Sequence, residues 1–438
     1  MPRLAFAPAL ALSLLPAVPA QGQPAALETE VAAWVEGDEE DGLELLERLV
    51  NVNSGTMNAA GVTEVGSMLA GELAALGFAT RWIDGAAFER AGHLVAERTG
   101  SGDGLHVLLI GHLDTVFEPD SPFQRFERLD GTRVRGPGIT DMKGGNVVML
   151  LALGALAEVG ALDELTVTVV MTGDEEDSGR PLDLARGDLI AVGGAADIAL
   201  GFEDGDGDPA TAVVARRGSA SWHLEVTGTP AHSSQIFQPG VGAGAIYEAG
   251  RILEGFREVL AEEKDLTYNP GLILGGTQVD LDAAQSRGTA FGKNNVIAER
   301  AVVTGDLRAV SPEQLARALS AMEEVVAAGL PGTEARFELS DGYPPMAASD
   351  GNRRLLALYD QVSRDLGHGP VAPVDPRNAG AADISFVAAD VAGALDGLGL
   401  MGTGGHTVEE TADLTTLVSQ AQRAAVLMLR LAGGAWGK

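Results

Sequence analysis

Several apolar runs in this chain stop abruptly at a histidine or a carboxylate, and that arrangement limits its folds more than any other feature. The stretch TVTVVMTGDEEDSG, residues 166–179, carries a β-branched run straight into Asp174, Glu175, Glu176 and Asp177. Neighbouring carboxylates repel by about 4 kcal/mol per pair at ~4 Å and an effective dielectric near 20. An acidic run on its own is ordinarily a solvated turn. Here it has company. LHVLLIGHLDTV reads as a strand over about 105–110 and delivers His112 and Asp114. AADIALGFEDGDGD ends at Glu203 and Asp204, and LDGLGLMGTGGHTVEETADL runs through a glycine-rich loop to His406. Between them, DMKGGNVVMLLALGALAEVG reads as a turn and a helix to about Val159, with Gly160 as its stop signal. Strands alternating with helical patterns predict an α/β fold with a largely parallel sheet. In such sheets the ligand crevice lies outside the carboxyl ends of the strands.

The middle of the chain has another pattern. Within residues 217–341, ASWHLEVTG, a helix near 243–260, NPGLILGGTQVDL, AERAVVTGDLRAV, a helix near 312–328 and EARFELS follow in turn. Strand, helix, two strands, helix, strand is the order of a ferredoxin-like split βαβ unit. It is predicted to be inserted between catalytic segments 21–216 and 342–438. Residues 1–20, MPRLAFAPALALSLLPAVPA, have one arginine, an apolar stretch and small residues at the end, the layout of a signal peptide cleaved after Ala20. The expected location is therefore secreted or periplasmic, with no membrane association once the signal is removed. A formal net charge of −32 argues against nucleic acid and anionic membranes as partners. With no cysteine, the chain forms no disulfides, and any metal must be held by His, Asp and Glu.

His112, Asp141, Glu175, Glu176, Glu203 and His406 offer nitrogen and oxygen without sulfur. That donor set suits Zn2+, with Co2+ or Mn2+ as alternatives. It exceeds what one tetrahedral ion needs. Two divalent ions roughly 3.5–4 Å apart, sharing a carboxylate, would use it all. Glu175 and Glu176 are adjacent at a strand end and point in different directions, so one can ligate while the other serves as general base. Spacing leaves open which does which.

The motifs HLD, GPGITDMKGG, TGDEEDSG, GFED and GGHTVEE, in that order, resemble the dizinc exopeptidase and amidohydrolase family. This family includes carboxypeptidase G (glutamate carboxypeptidase), aminoacylase, acetylornithine deacetylase and succinyl-diaminopimelate desuccinylase. The resemblance implies that Asp141 bridges two metals, with His112 and Glu203 on opposite ions and Glu176 and His406 completing the two shells. It makes Glu175 the general base, has Asp114 orient His112, and implies a cis Asp141–Met142 bond. The inserted unit resembles the family's lid and dimerisation domain, which implies a homodimer with His232 of TGTPAHSS acting across the interface. Asn295 and Arg308 match residues that grip a substrate carboxylate, and Gly380 lies in a loop that matches a substrate-binding one. Asn295 is followed by VIA rather than isoleucine–proline, the stretch QVDLDAAQSRGTAFGKN before it is long, and RNAGAADIS is poorer in glycine than the family loop. These departures bear on specificity rather than on metal chemistry.

The expected activity is hydrolysis of an amide bond next to a free C-terminal carboxylate, in a small peptide or an N-acyl amino acid. An N-acyl or N-succinyl amidohydrolase is the alternative, and a non-catalytic metal- or peptide-binding export protein is a more distant one. His93, His106, His223 and His368 are read as structural, and Asp174, Asp177, Asp204, Asp206 and Asp208 as solvated.

Overall fold

The computed structural model describes residues 25–437 apart from 101, 103, 283 and 284, so the expected signal peptide lies outside the described residues. A six-stranded sheet runs in the order Ala79–Asp84, Gly92–Arg98, Thr166–Thr172, His106–His112, Ile198–Gly201, Gly393–Leu395. The last four strands are parallel and the first two antiparallel, so the sheet is mixed. The strand read as ending near residue 110 continues to His112, which places that histidine inside the hydrogen-bonded ladder opposite Thr172.

Alternation along the strands explains how the sheet is sandwiched. Val107, Leu109, Val167, Val169 and Leu200 face one apolar core, whereas Leu108, Ile110, Val170 and Ala199 face another. Helix Gly144–Glu158 is buried from Gly144 to Leu156, and packs with Ala26–Gly37 and Thr415–Ala432 on the first face. An all-round apolar helix of this kind belongs in a core. Its close approach to the sheet depends on Gly145, where a Cβ would lie 1.9 Å from the Phe202 carbonyl oxygen.

A second sheet of four antiparallel strands has the order Thr267–Gly276, Arg300–Arg308, Ala220–Gly228, Thr333–Leu339. Helices Ala245–Val259 and Pro312–Ala327 close one face of it over Trp222, Leu224, Val226, Val303 and Leu307. Ser311 starts the second helix by accepting the Gln314 N–H. The chain leaves and re-enters the first sheet's domain as a paired crossing, with Arg216 bridged to Met346 and Ser219 to Tyr343.

One strand differs from the sequence reading. NPGLILGGTQVDL is broken after Gly276, and Gln278–Asp282 pairs instead with Arg287–Phe291 as a separate hairpin. Two consecutive glycines weaken the strand there, and Gly276 lies so close to Phe291 that a Cβ would come within 2.5 Å of its carbonyl oxygen. The long stretch before Asn295 is this hairpin.

At the edge strand Gly393–Leu395, Asp396 pairs with Arg216 at 2.8 Å, and both side chains are almost fully buried. Removing one member of a buried pair leaves an uncompensated charge, at a cost of about 3–5 kcal/mol. Asp396→Ala should lower unfolding stability by about that much in urea titrations, and a loss under ~1 kcal/mol would contradict this reading.

Candidate active site

Three adjacent parallel strands end at one sheet edge: Thr166–Thr172 before Glu175 and Glu176, His106–His112 at its own histidine, and Ile198–Gly201 before Glu203. Asp141 reaches the same place from the loop ahead of the buried helix. Its Oδ1 lies 2.9 Å from His112 Nε2, and its Oδ2 lies 3.0 Å from His406 Nε2. Glu203 Oε1 is 3.5 Å from His112 Nε2, and Glu176 Oε2 is 3.0 Å from His406 Nε2. His112, Asp141 and Glu203 thus form one cluster with metal-ligand spacing, and Asp141, Glu176 and His406 form a second. Each oxygen of Asp141 serves a different cluster.

The loop bearing Asp141 is tightly held. Gly138 has a left-handed φ of 68°, and the Asp141–Met142 peptide is cis. The buried carboxylate of Glu410 accepts the backbone N–H groups of Gly138 at 3.0 Å, Thr140 at 2.9 Å and Asp141 at 3.2 Å. Glu410 follows His406 by four positions, so one short loop supplies a candidate ligand and fastens the loop of another. Sequence reasoning passed over this residue, although the carboxylates in HTVEE were its visible signal. His406 itself, which follows Gly404 and Gly405, has a φ of 61°, a conformation uncommon outside glycine.

On the other side, Asn146 donates to the His112 carbonyl at 2.7 Å. His112 Nδ1 lies 3.1 Å from the Asp114 carbonyl oxygen and 3.5 Å from its carboxylate, which leaves Nε2 for the cluster. The nearer partner is therefore the Asp114 backbone, and its carboxylate has further duties. It accepts Thr56 Oγ1 at 2.6 Å and the N–H groups of Glu175 and Glu176 at 3.0 and 3.1 Å. Asp114 sets the strand end that carries both glutamates as much as it sets the imidazole.

The electrostatics fit a site built for cations. Burial raises Glu175 and Glu203 well above the ordinary carboxylate range, reinforced at Glu175 by Asp383 and at Glu203 by Asp141. Burial alone would depress the His112 imidazole, but Glu203, Asp114 and Asp141 outweigh it and hold it well above its usual value. Hydrogen bonds to Asp141 and Glu176 push His406 up to about 11. Divalent ions at these positions would supply the positive charge that the carboxylates call for, with both imidazoles neutral. Glu176 Oε1 is buried without a hydrogen-bond partner, as a ligand oxygen would be.

The remaining predicted residues lie elsewhere. His232 is exposed and caps the turn Ser233–Gln235. Its neighbour is Asn295, whose carbonyl accepts the Ser233 N–H at 2.9 Å. Arg308 closes the other end of the nine-residue strand Arg300–Arg308 and pairs with Asp306 at 3.0 Å. That strand alone spans roughly 26 Å at ~3.3 Å per residue, so Asn295 and Arg308 of one chain cannot grip a single carboxylate together. Within one chain, Asn295 lies beside His232. Gly380 is exposed, its carbonyl accepts Arg216 Nη1 at 3.1 Å, and a Cβ there would meet nothing within 4 Å, so no steric demand calls for glycine. Beside Arg308 stand two arginines that the sequence reading passed over, Arg217 and Arg377. Arg217 donates to the Arg377 carbonyl at 2.8 Å and to Thr267 Oγ1 at 3.3 Å, while its Nε is buried without a partner. Adjacent arginines in so acidic a chain were the available signal.

Two aspartates read as solvated are not. Asp174 is fully buried and paired with Arg186, and Asp204 is half-buried and pushed up to about 7 by its burial and by Asp141. Asp177, Asp206 and Asp208 are exposed. His93, His106 and His368 hydrogen-bond to Ala185, Thr168 and Gln422 away from the two clusters.

The chain is similar to several known proteins. Carboxypeptidase G2 of Pseudomonas sp. (strain RS-16) is 28% identical over 399 residues, covering 90% of this chain and 89% of that protein. The Probable succinyl-diaminopimelate desuccinylase of Staphylococcus aureus (strain MRSA252) is 31% identical over 214 residues, 47% of each chain. Among solved structures, the M20 family metallo-carboxypeptidase Sso-CP2 from Sulfolobus solfataricus superposes with a TM-score of 0.61 at 16% identity, over 89% of this chain and 99% of that one. Aminopeptidase PepT from Bacillus cereus ATCC 10987 gives 0.67 at 19% identity, over 90% and 99%. Residues 108–432 match the Peptidase family M20/M25/M40, and the chain belongs to that family.

Proposed function

We propose that this protein is an exported two-metal exopeptidase that hydrolyses the amide bond next to a free C-terminal carboxylate. The observation that carries the reading is Asp141, with one oxygen turned to His112 and the other to His406. His112, Glu203 and Asp141 would hold one divalent ion, Zn2+ by the donor set, and Glu176, His406 and Asp141 the other. Such ions supply Lewis acidity to water and to the scissile carbonyl. Glu175, raised by its burial and not a member of either cluster, takes the proton from the attacking water and passes it to the leaving amine. Asp114 keeps Glu175 in place through its backbone N–H.

The arginines at the crossing between the two sheets suit the substrate carboxylate. Arg308 can bind it bidentately, with Arg217 and Arg377 adding positive charge nearby. The similarity to carboxypeptidase G2 makes a C-terminal glutamate the leading substrate residue; the similarity to a desuccinylase keeps N-acyl or N-succinyl amino acids as the second reading. Both present a carboxylate near the scissile bond.

The inserted unit is proposed as a lid and as the contact of a homodimer. Its edge strand Thr267–Gly276 has an open side, and Ile246, Tyr247, Ile273, Phe237 and Phe291 of the same unit are exposed. His232 and Asn295 then reach the partner's metals, where His232 can donate to the oxyanion.

Losing a charge-assisted bidentate contact costs roughly 1.5–3 kcal/mol. Arg308→Ala should therefore cut kcat/KM by about ten- to a hundredfold. Amidating the substrate's C-terminus should hurt the wild type similarly and the variant much less. Equal hydrolysis of free and amidated substrates by the wild type would remove the exopeptidase assignment. For action across the interface, an inactive His232→Ala chain mixed with an inactive Glu175→Gln chain should recover activity, because one of the two sites in a mixed dimer is intact. No recovery after proven subunit exchange counts against it.

A further inference from the structure

The backbone at Glu175 is pinned on both sides. Asp114 takes its N–H at 3.0 Å, and the Tyr343 hydroxyl donates to its carbonyl oxygen at 3.1 Å. A phenol has one proton, and the surroundings decide where it goes. Arg186 Nη2 donates to the Tyr343 oxygen at 2.6 Å, and Ser178 Oγ lies 3.0 Å from it. Arg186 cannot turn away, being fully buried and paired with both Asp174 and Asp383. The arginine can only donate to that oxygen and the Glu175 carbonyl can only accept, so the hydroxyl proton serves Glu175. The ring is also fixed, edge-on to Phe386 with centroids 4.8 Å apart.

Tyr343 stands at an informative place in the chain. It is in the returning half of the paired crossing, where its N–H and carbonyl both bond to Ser219 at 2.9 and 3.0 Å. The segment joining the inserted sheet to the first domain thus reaches the strand end that bears Glu175 through one hydroxyl.

We infer that Tyr343 is a positioning residue for Glu175, coupling the crossing between the two sheets to the placement of the general base. The inference rests on the proposed role of Glu175 as the base. Tyr343 touches no reacting atom and acts through the Glu175 peptide. A base must lie within hydrogen-bond reach of the proton it takes, and a displacement near ~1 Å can cost about a hundredfold in rate.

The test compares steady-state kinetics of four metal-loaded full-length proteins on an acyl- or peptidyl-amino acid with a free C-terminus: wild type, Tyr343→Phe, Glu175→Gln and the double variant. Tyr343→Phe should lower kcat by about ten- to a hundredfold with KM within about twofold and the metal content of wild type. The double variant should be no slower than Glu175→Gln alone, since the tyrosine has no base left to place. Ser178→Ala, which loosens the hydroxyl without touching the tyrosine, should shift kcat in the same direction by less, and serves if Tyr343→Phe folds poorly. A Tyr343→Phe kcat within about twofold of wild type, a loss confined to KM or to metal content, or multiplicative losses in the double variant would each overturn the inference. Near-normal turnover by Glu175→Gln would sink the base assignment and this inference with it. A loss in Glu175→Gln beside an unimpaired Tyr343→Phe would sink this inference alone.

Discussion

Everything in the active region depends on holding Asp141 between two histidines in a place already crowded with carboxylate. Asp141, Glu175, Glu176 and Glu203 converge on one sheet edge, and burial disfavours the charged form of each. Uncompensated, such a gathering would oppose folding. Two divalent cations would reverse its sign. The fold supplies the convergence cheaply, because neighbouring parallel strands deliver their carboxyl ends to the same line.

The supports around that aspartate are as specific as the candidate ligands. Glu410 gathers three backbone N–H groups of the Asp141 loop, Asn146 fixes the His112 carbonyl, and Asp114 holds the peptide N–H groups of both glutamates. Outer partners of this type orient ligands and tune their basicity. Here they also join parts distant in sequence. The Glu410 contact ties the C-terminal loop to residues 138–141, and Tyr343 ties the segment after the inserted sheet to Glu175. Residues with no direct part in the chemistry thereby set where the chemistry can happen.

Three of the chemistry-bearing side chains were legible in the sequence because each follows an apolar run that reads as a strand. His112, Glu176 and Glu203 could be placed at one edge from that pattern alone. Asp141 and His406 lie in loops, where periodicity carries no information, and the family motifs supplied their roles. What pattern could not show was the inward-facing polar network. Asp174 looks like one more member of an acidic run, yet it is buried because Arg186, twelve residues on, folds back over it. The distance between Asn295 and Arg308 was hidden for another reason. The residues are near in sequence, and only the extended strand between them drives them apart. The hairpin after Gly276 was missed because two glycines within an otherwise apolar run were read through rather than as a break.

The central claim is that Asp141 is shared by two metal ions, and anomalous diffraction at the zinc edge from crystals of the zinc-loaded protein tests it most directly. Two peaks should flank the Asp141 carboxylate about 3.5–4 Å apart, one beside His112 and Glu203 and the other beside Glu176 and His406. A single peak in an active preparation, or two peaks that do not share Asp141, would contradict the account.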